Sequence, residues 1–142
     1  MELEALTPEQ IDRLSGKLRA AGLRSTRPRL ALAYLLFSAG NRHVTAETLH
    51  EEARNAGLSV SQATIYNTLN QFLSAGLLSE VIVDRARSYF DTNVTEHHHF
   101  FVEDEARLID IPLDEVVLST LPDAPSGYDP TGVDVVIRLD RR

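Results

Sequence analysis

A change of hydrophobic period at residue 78 constrains this chain more than any other feature. Upstream of it, apolar residues recur at helical spacing in four stretches, each stopped by a glycine. The first opens at Thr7-Pro8-Glu9-Gln10: Thr7 caps, Pro8 suits the first helical position and Gln10 completes a capping box. Ile11, Leu14 and Leu18 form its stripe, and Gly22 ends it. A second helix over 27–38 carries Leu30, Ala33, Tyr34 and Phe37 before Gly40. A third starts at the cap Thr45 and runs through Leu49 and Ala53 to Gly57; a fourth, capped by Ser61, carries Ile65, Leu69, Phe72 and Leu73 before Gly76. Downstream, 78–83 and 87–91 are β-rich runs joined by the tight Asp84-Arg85-Ala86, the pattern of a hairpin. Short helices followed by such a hairpin describe a winged helix-turn-helix.

The polar stretch 92–96 is the expected boundary, giving an N-terminal winged-helix DNA-binding domain over 1–92 and a small α/β dimerisation and sensing domain over 93–142, α+β overall. In the second part, 97–102 and 107–111 read as strands, 113–121 as a short helix, 123–130 as a Pro/Gly/Asp loop and 133–139 as a last strand. So small a unit buries little alone and gains stability by pairing with another chain. The run Val133-Asp134-Val135-Val136-Ile137 suits either an extended sheet in a homodimer or a strand within one monomer.

The net charge of −7 is unevenly spread. Residues 1–92 hold 10 Lys+Arg and 10 Asp+Glu, whereas 93–142 hold 4 and 11. The acidity therefore lies away from Arg24, Arg27 and Arg29, and local positive charge still attracts phosphate because salt screens distant charges beyond about 8 Å. The opening residues include Glu2 and Glu4 and lack the apolar core of a signal peptide, and no apolar run approaches the roughly 18 residues of a membrane helix. A cytoplasmic protein with no membrane partner is expected. Cysteine is absent, which excludes disulfides, thiolate zinc and iron–sulfur clusters, so a metal must be held by nitrogen and oxygen.

Ser61-Gln62-Ala63-Thr64-Ile65-Tyr66-Asn67 has the make-up of a recognition helix. Ile65 falls on the core face; Gln62, Ala63, Thr64, Tyr66 and Asn67 are left outward near the N-terminus, small or hydrogen-bonding groups that suit a major groove. An ordinary amphipathic helix looks the same in isolation; the helices before it and the hairpin after it favour DNA. Arg24, Arg27 and Arg29 suit phosphate or minor-groove contact, because the planar guanidinium fork pairs with phosphate oxygens. A solvated helix start is the alternative, and positive charge opposing the helix dipole disfavours it.

These segments resemble the ferric uptake regulator family in several motifs in fixed order. Ala21-Gly22-Leu23-Arg24-Ser25-Thr26-Arg27-Pro28-Arg29 resembles its opening, and His43-Val44-Thr45-Ala46-Glu47-Thr48-Leu49 its next signature. Ser61 through Gly76 resembles its recognition helix, and the likeness continues through Tyr89-Phe90-Asp91 and the histidine run to Ile109-Asp110. The resemblance implies that Arg24, Tyr66 and Asn67 contact DNA, with Asn67 standing where many relatives carry arginine.

His97-His98-His99 is the sharpest chemical signal. In a strand His97 and His99 project to one face and His98 to the other, so two imidazoles can share one ion. By resemblance the regulatory metal site maps onto His43, Asp91, His97, His99 and Asp110, a set that would tie the two domains together and fix the spacing of the recognition helices. His50, outside any signature, reads as structural. Relatives' structural zinc, held by two Cys-x-x-Cys pairs, cannot form, since Val102 and Glu105 occupy the first pair's positions. A cysteine-free chain with His97-His98-His99-Phe100-Phe101-Val102 resembles the iron response regulator branch, in which the triplet is associated with haem.

The leading expectation is a homodimeric regulator, acting on operators of iron and haem genes in double-stranded DNA, that haem at His97, His98 and His99 controls. A repressor of the ferric uptake type, sensing free iron, manganese or zinc through the mapped set, is the alternative. A metal-dependent enzyme or metal buffer comes last, because no acid–base motif accompanies the histidines and the recognition helix would lack a purpose.

Overall fold

The computed structural model describes residues 5–142; the acidic opening with Glu2 and Glu4 lies outside the described residues. The chain divides into two compact units, the first running to Val94 and the second covering Thr95–Arg142.

The first unit runs α1 (Pro8–Ala20), α2 (Arg27–Phe37), β1 (His43–Val44), α3 (Ala46–Asn55), α4 (Gln62–Ser74), β2 (Ser79–Ile82) and β3 (Ser88–Asp91). Its helices begin where side-chain oxygens satisfy otherwise unpaired N–H groups. Thr7 and Gln10 form the expected reciprocal box. Thr45 does the same with Thr48, whose hydroxyl replaces the usual carboxamide or carboxylate. Ser61 accepts from the Thr64 N–H, and Thr26 caps α2 by accepting from Arg29. Gly22 (φ +83°) ends α1 in the left-handed region, letting Leu23 N–H reach back to the Leu18 carbonyl. The apolar stripes meet in one core, where Leu18, Leu32, Leu36, Leu49, Ile65, Leu69 and Phe72 are fully buried. Each such burial contributes about 1.5–3 kcal/mol.

The three strands form an antiparallel sheet in the order β1-β3-β2. Between β2 and β3 the Asp84 carboxylate accepts from the Ala86 and Arg87 N–H groups, closing the expected hairpin. The two-residue β1 is an addition to the expected elements. Its register sets His43 opposite Asp91.

The second unit contains β4 (His98–Val102), β5 (Arg107–Ile111) and β6 (Val136–Leu139), ordered β5-β4-β6. β4 pairs antiparallel with β5, setting His99 opposite Asp110, and parallel with β6. Phe101 is fully buried, with Leu108 and Ile111 beside it in the buried set. The last strand thus pairs within its own chain. The helix expected over 113–121 is corrected: only a 3₁₀ turn, Leu113–Glu115, forms. Pro112 precedes it and supplies no cap, β-branched Val116 and Val117 follow, and Val117 is 85% exposed. A short helix needs packing against a core, and this segment has none in its own unit. Among the described residues no helix is long and apolar enough to cross a membrane.

Candidate functional site

On α4, burial separates scaffold from surface as the periodicity requires. Ile65, Thr68, Leu69 and Phe72 are buried, whereas Ser61, Gln62, Ala63, Tyr66 and Asn67 are exposed and Thr64 is half-buried. The first turn of α4 carries no acidic residue, so nothing on it opposes an approaching anion. The Ser61 hydroxyl is committed to its cap. The Tyr66 hydroxyl donates to Glu47 Oε1 of α3 at 2.6 Å.

Beside this face lies an open groove of about 540 Å³, lined by Arg24, Thr26, Arg29, Thr64, Asn67 and Gln71 among others. Arg24 and Arg27 are exposed at its edge and on the α2 start. Arg29 is half-buried and its fork is largely engaged: Nε and Nη2 donate to Gln71 Oε1 at 3.1 and 3.0 Å, and Nη1 to the Arg24 carbonyl at 3.0 Å. It therefore braces the Arg24 turn against α4, with two of its five N–H donors outside these bonds.

In the first unit, strand pairing brings His43 Nε2 within 3.2 Å of Asp91 Oδ2. The Asp91 side chain is 1% exposed, and its Oδ1 also accepts from the Asn93 N–H. Arg42, one residue before His43, accepts from the Thr92 N–H at its carbonyl, donates its own N–H to Thr92 Oγ1, and donates from its guanidinium to Glu52 of α3 and to the Leu35 carbonyl of α2. The strand that presents His43 is thus held from three sides.

In the second unit, His97 Nε2 and His99 Nε2 converge on one oxygen, Asp110 Oδ1, at 3.2 and 3.3 Å. Their ring centroids lie 4.5 Å apart. His97 Nδ1 sits 2.6 Å from the Thr95 carbonyl oxygen. A carbonyl only accepts, so Nδ1 carries the proton and Nε2 presents a lone pair to the carboxylate. Two acceptors facing each other repel unless a second proton or a metal cation lies between them. A metal-binding imidazole is oriented in this way, with its remote N–H on a carbonyl. The donor set therefore fits a divalent ion of the kind that accepts nitrogen and oxygen.

His98 faces away from this set, as strand alternation demands. It is buried, and its Nδ1 accepts from the Val135 N–H at 3.1 Å, joining β4 to the approach of β6. The run His97-His98-His99 is thus one pair plus a histidine on the opposite face. His50 is structural as expected, its Nε2 lying 3.2 Å from the Val60 carbonyl.

Glu47 and Gln71 were not among the expected functional residues. Their partners are Tyr66, 19 positions away, and Arg29, 42 positions away. The one hint of a role was that both lie inside family-like segments.

Residues 20–121 match the ferric uptake regulator family. The chain is 32% identical over 103 residues to the ferric uptake regulation protein of Legionella pneumophila, a match covering 72% of this chain and 76% of that one. It is 34% identical over 100 residues to the Shigella flexneri protein of the same description, covering 70% and 68%. In three dimensions it is similar to a ferric uptake regulator from Pseudomonas aeruginosa with manganese, at a TM-score of 0.68 and 27% identity over 91% of this chain and 98% of that one. The Vibrio cholerae ferric uptake regulator shares the fold, with a TM-score of 0.70 at 21% identity over 89% and 98%.

Proposed function

The chain belongs to the ferric uptake regulator family, a family of transcription regulators rather than enzymes, and from that premise we propose a homodimer that reads duplex DNA through α4 and takes its signal from a divalent ion at His97, His99 and Asp110. The observation that carries the sensing half is the convergence of two imidazole nitrogens on one carboxylate oxygen. Three ligands are fewer than the four to six that zinc, iron or manganese take. In the first unit the His43–Asp91 pair is a second nitrogen–oxygen set of the same chemistry. Occupancy of the ion at His97, His99 and Asp110 governs how the two α4 helices of a dimer meet successive major grooves. When bound, the ion supplies charge and a fixed coordination geometry. Everything else is done by this chain's residues.

On the DNA side, Gln62, Ala63, Thr64, Tyr66 and Asn67 are assigned to base edges, and Arg24 and Arg27 to phosphates. Ser61 and Arg29 act chiefly by holding α4 and the Arg24 turn in place. The regulator acts where DNA is, in the cytoplasm.

The haem-responsive reading, drawn from the iron response regulator branch, has less support. It needs His97, His98 and His99 to serve one macrocycle, yet His98 is buried on the opposite face with its Nδ1 occupied. Phe100 and Phe101 likewise point to opposite faces, and Phe101 is fully buried. The manganese described for the Pseudomonas aeruginosa relative is in line with a free divalent ion. Selection from a randomised duplex library in Mn²⁺ tests the DNA half: recovery of a two-fold symmetric motif supports it, and recovery of no motif refutes it. Elemental analysis tests the sensor, since one bound ion per chain that His97→Ala removes is expected. A haem Soret band that is sensitive to each of the three histidines would move the assignment to haem.

A further inference from the structure

Glu47 is a carboxylate on the flank of a surface assigned to a polyanion. It is exposed in the first turn of α3, and its Oε1 accepts the Tyr66 hydroxyl at 2.6 Å. A negative charge there repels duplex of every sequence, so it weakens binding unless it contributes something selective.

We propose that Glu47 is a specificity-determining positioning residue: by accepting the Tyr66 O–H hydrogen bond it turns that hydroxyl from a phosphate donor into an acceptor for base-edge amino groups. The inference rests on α4 being the DNA-reading helix. A phenol has one O–H donor and lone pairs that accept. Left free, the proton goes to the nearest phosphate oxygen, a contact that positions the protein and carries no sequence information. Committed to Glu47, the proton is no longer offered, and the oxygen can only accept. Phosphate has no hydrogen to give it. The exocyclic amino groups of adenine and cytosine in the major groove do. The same bond fixes the two side-chain torsions of Tyr66, which is 40% exposed and otherwise free to swing at its tip.

Tyr66 first, and then the backbone at the α3 N-terminus and Thr45, hold the Glu47 carboxyl below the usual glutamate range, while the carboxylate raises the Tyr66 phenol. Both shifts agree with a stable donor–acceptor assignment.

The test uses the full chain, a duplex selected by the wild type, and a shuffled duplex of equal length and composition, compared by fluorescence anisotropy at one salt concentration. Glu47→Ala is expected to bind the shuffled duplex about threefold more tightly and to lose about tenfold in the selected-to-shuffled affinity ratio. Glu47→Gln keeps an acceptor for the hydroxyl but removes the charge, so its ratio falls by less than about threefold. In a Tyr66→Phe background, Glu47→Ala is expected to change the ratio no further. A wild type without preference for the selected duplex ends the DNA-reading assignment itself. A wild-type preference that Glu47→Ala leaves intact overturns the Glu47 proposal alone. Ultraviolet titration of the phenol, with Tyr66→Phe as reference, gives a DNA-free readout: the Tyr66 ionisation should move down in Glu47→Ala, and an unmoved ionisation also overturns the proposal.

Discussion

Replacing Asp110 by Asn separates a metal centre from a merely hydrogen-bonded pair of histidines. The two side chains have the same shape, but the amide removes the charge and puts an N–H donor where one oxygen stood. If Asp110 only pairs with imidazoles, little is lost, because its side chain is 38% exposed and such pairs are worth under about 1 kcal/mol. Asn would still donate to a neutral Nε2. If Asp110 Oδ1, at 3.2 and 3.3 Å from the two nitrogens, is a ligand, its loss costs more than the loss of a supporting group around a metal. Supporting groups change affinity by about 10–100-fold. A ligand then sits at the upper end or beyond, about 100-fold or about 2.7 kcal/mol. The assay is competition for Mn²⁺ and Zn²⁺ against a fluorescent chelator, with denaturant unfolding of the metal-stripped proteins as the control. The account predicts the large affinity loss with nearly unchanged metal-free stability. Equal metal affinity in the two proteins, or a metal-free Asp110→Asn protein that is itself severely destabilised, would refute the reasoning.

Three further outcomes follow from the same geometry. His98→Ala leaves the Val135 N–H without its acceptor and should destabilise the fold by about 1–3 kcal/mol while leaving divalent affinity unchanged; a loss of metal affinity equal to that of His97→Ala would contradict the separation of faces. Ala106 holds φ at +49° in the β4–β5 turn, so Ala106→Gly should stabilise by about 0.5–1 kcal/mol in urea unfolding, and a destabilisation would show that the turn is not strained. The Tyr66 bond lowers the Glu47 pKa in the folded state, so its contribution is present above the unfolded glutamate range and lost as pH falls through the folded value. The stability gap between wild type and Tyr66→Phe, at most about 1 kcal/mol for so exposed a bond, should therefore shrink on acidification; a gap that widens contradicts the assignment.

What could be read from the sequence was what depends on near neighbours. Caps act over three residues, so Thr7, Thr45 and Ser61 marked their helices, and the Asp84 turn marked the hairpin. Thr26 is equally local but was hidden by the arginines around it, which drew the reading toward charge. Strand alternation alone sorts His97 and His99 from His98. The misses are tertiary. β1 exists only because β3 lies beside it, and two residues carry no period of their own. The bond from Arg29 to Gln71 spans 42 positions and leaves no trace in local spacing. The apolar spacing of 113–121 suggested a helix, but spacing stabilises a helix only where a surface receives it.

The central claim is that a divalent ion at His97, His99 and Asp110 sets the affinity of this chain for DNA. The measurement that tests it most directly is anisotropy of one selected duplex with metal-stripped wild type and with a His97→Ala/His99→Ala double variant, each titrated with Mn²⁺. The account predicts that the ion shifts wild-type affinity by at least about tenfold and leaves the variant's affinity where it was. A wild type indifferent to the ion, or a double variant that responds as the wild type does, would contradict it.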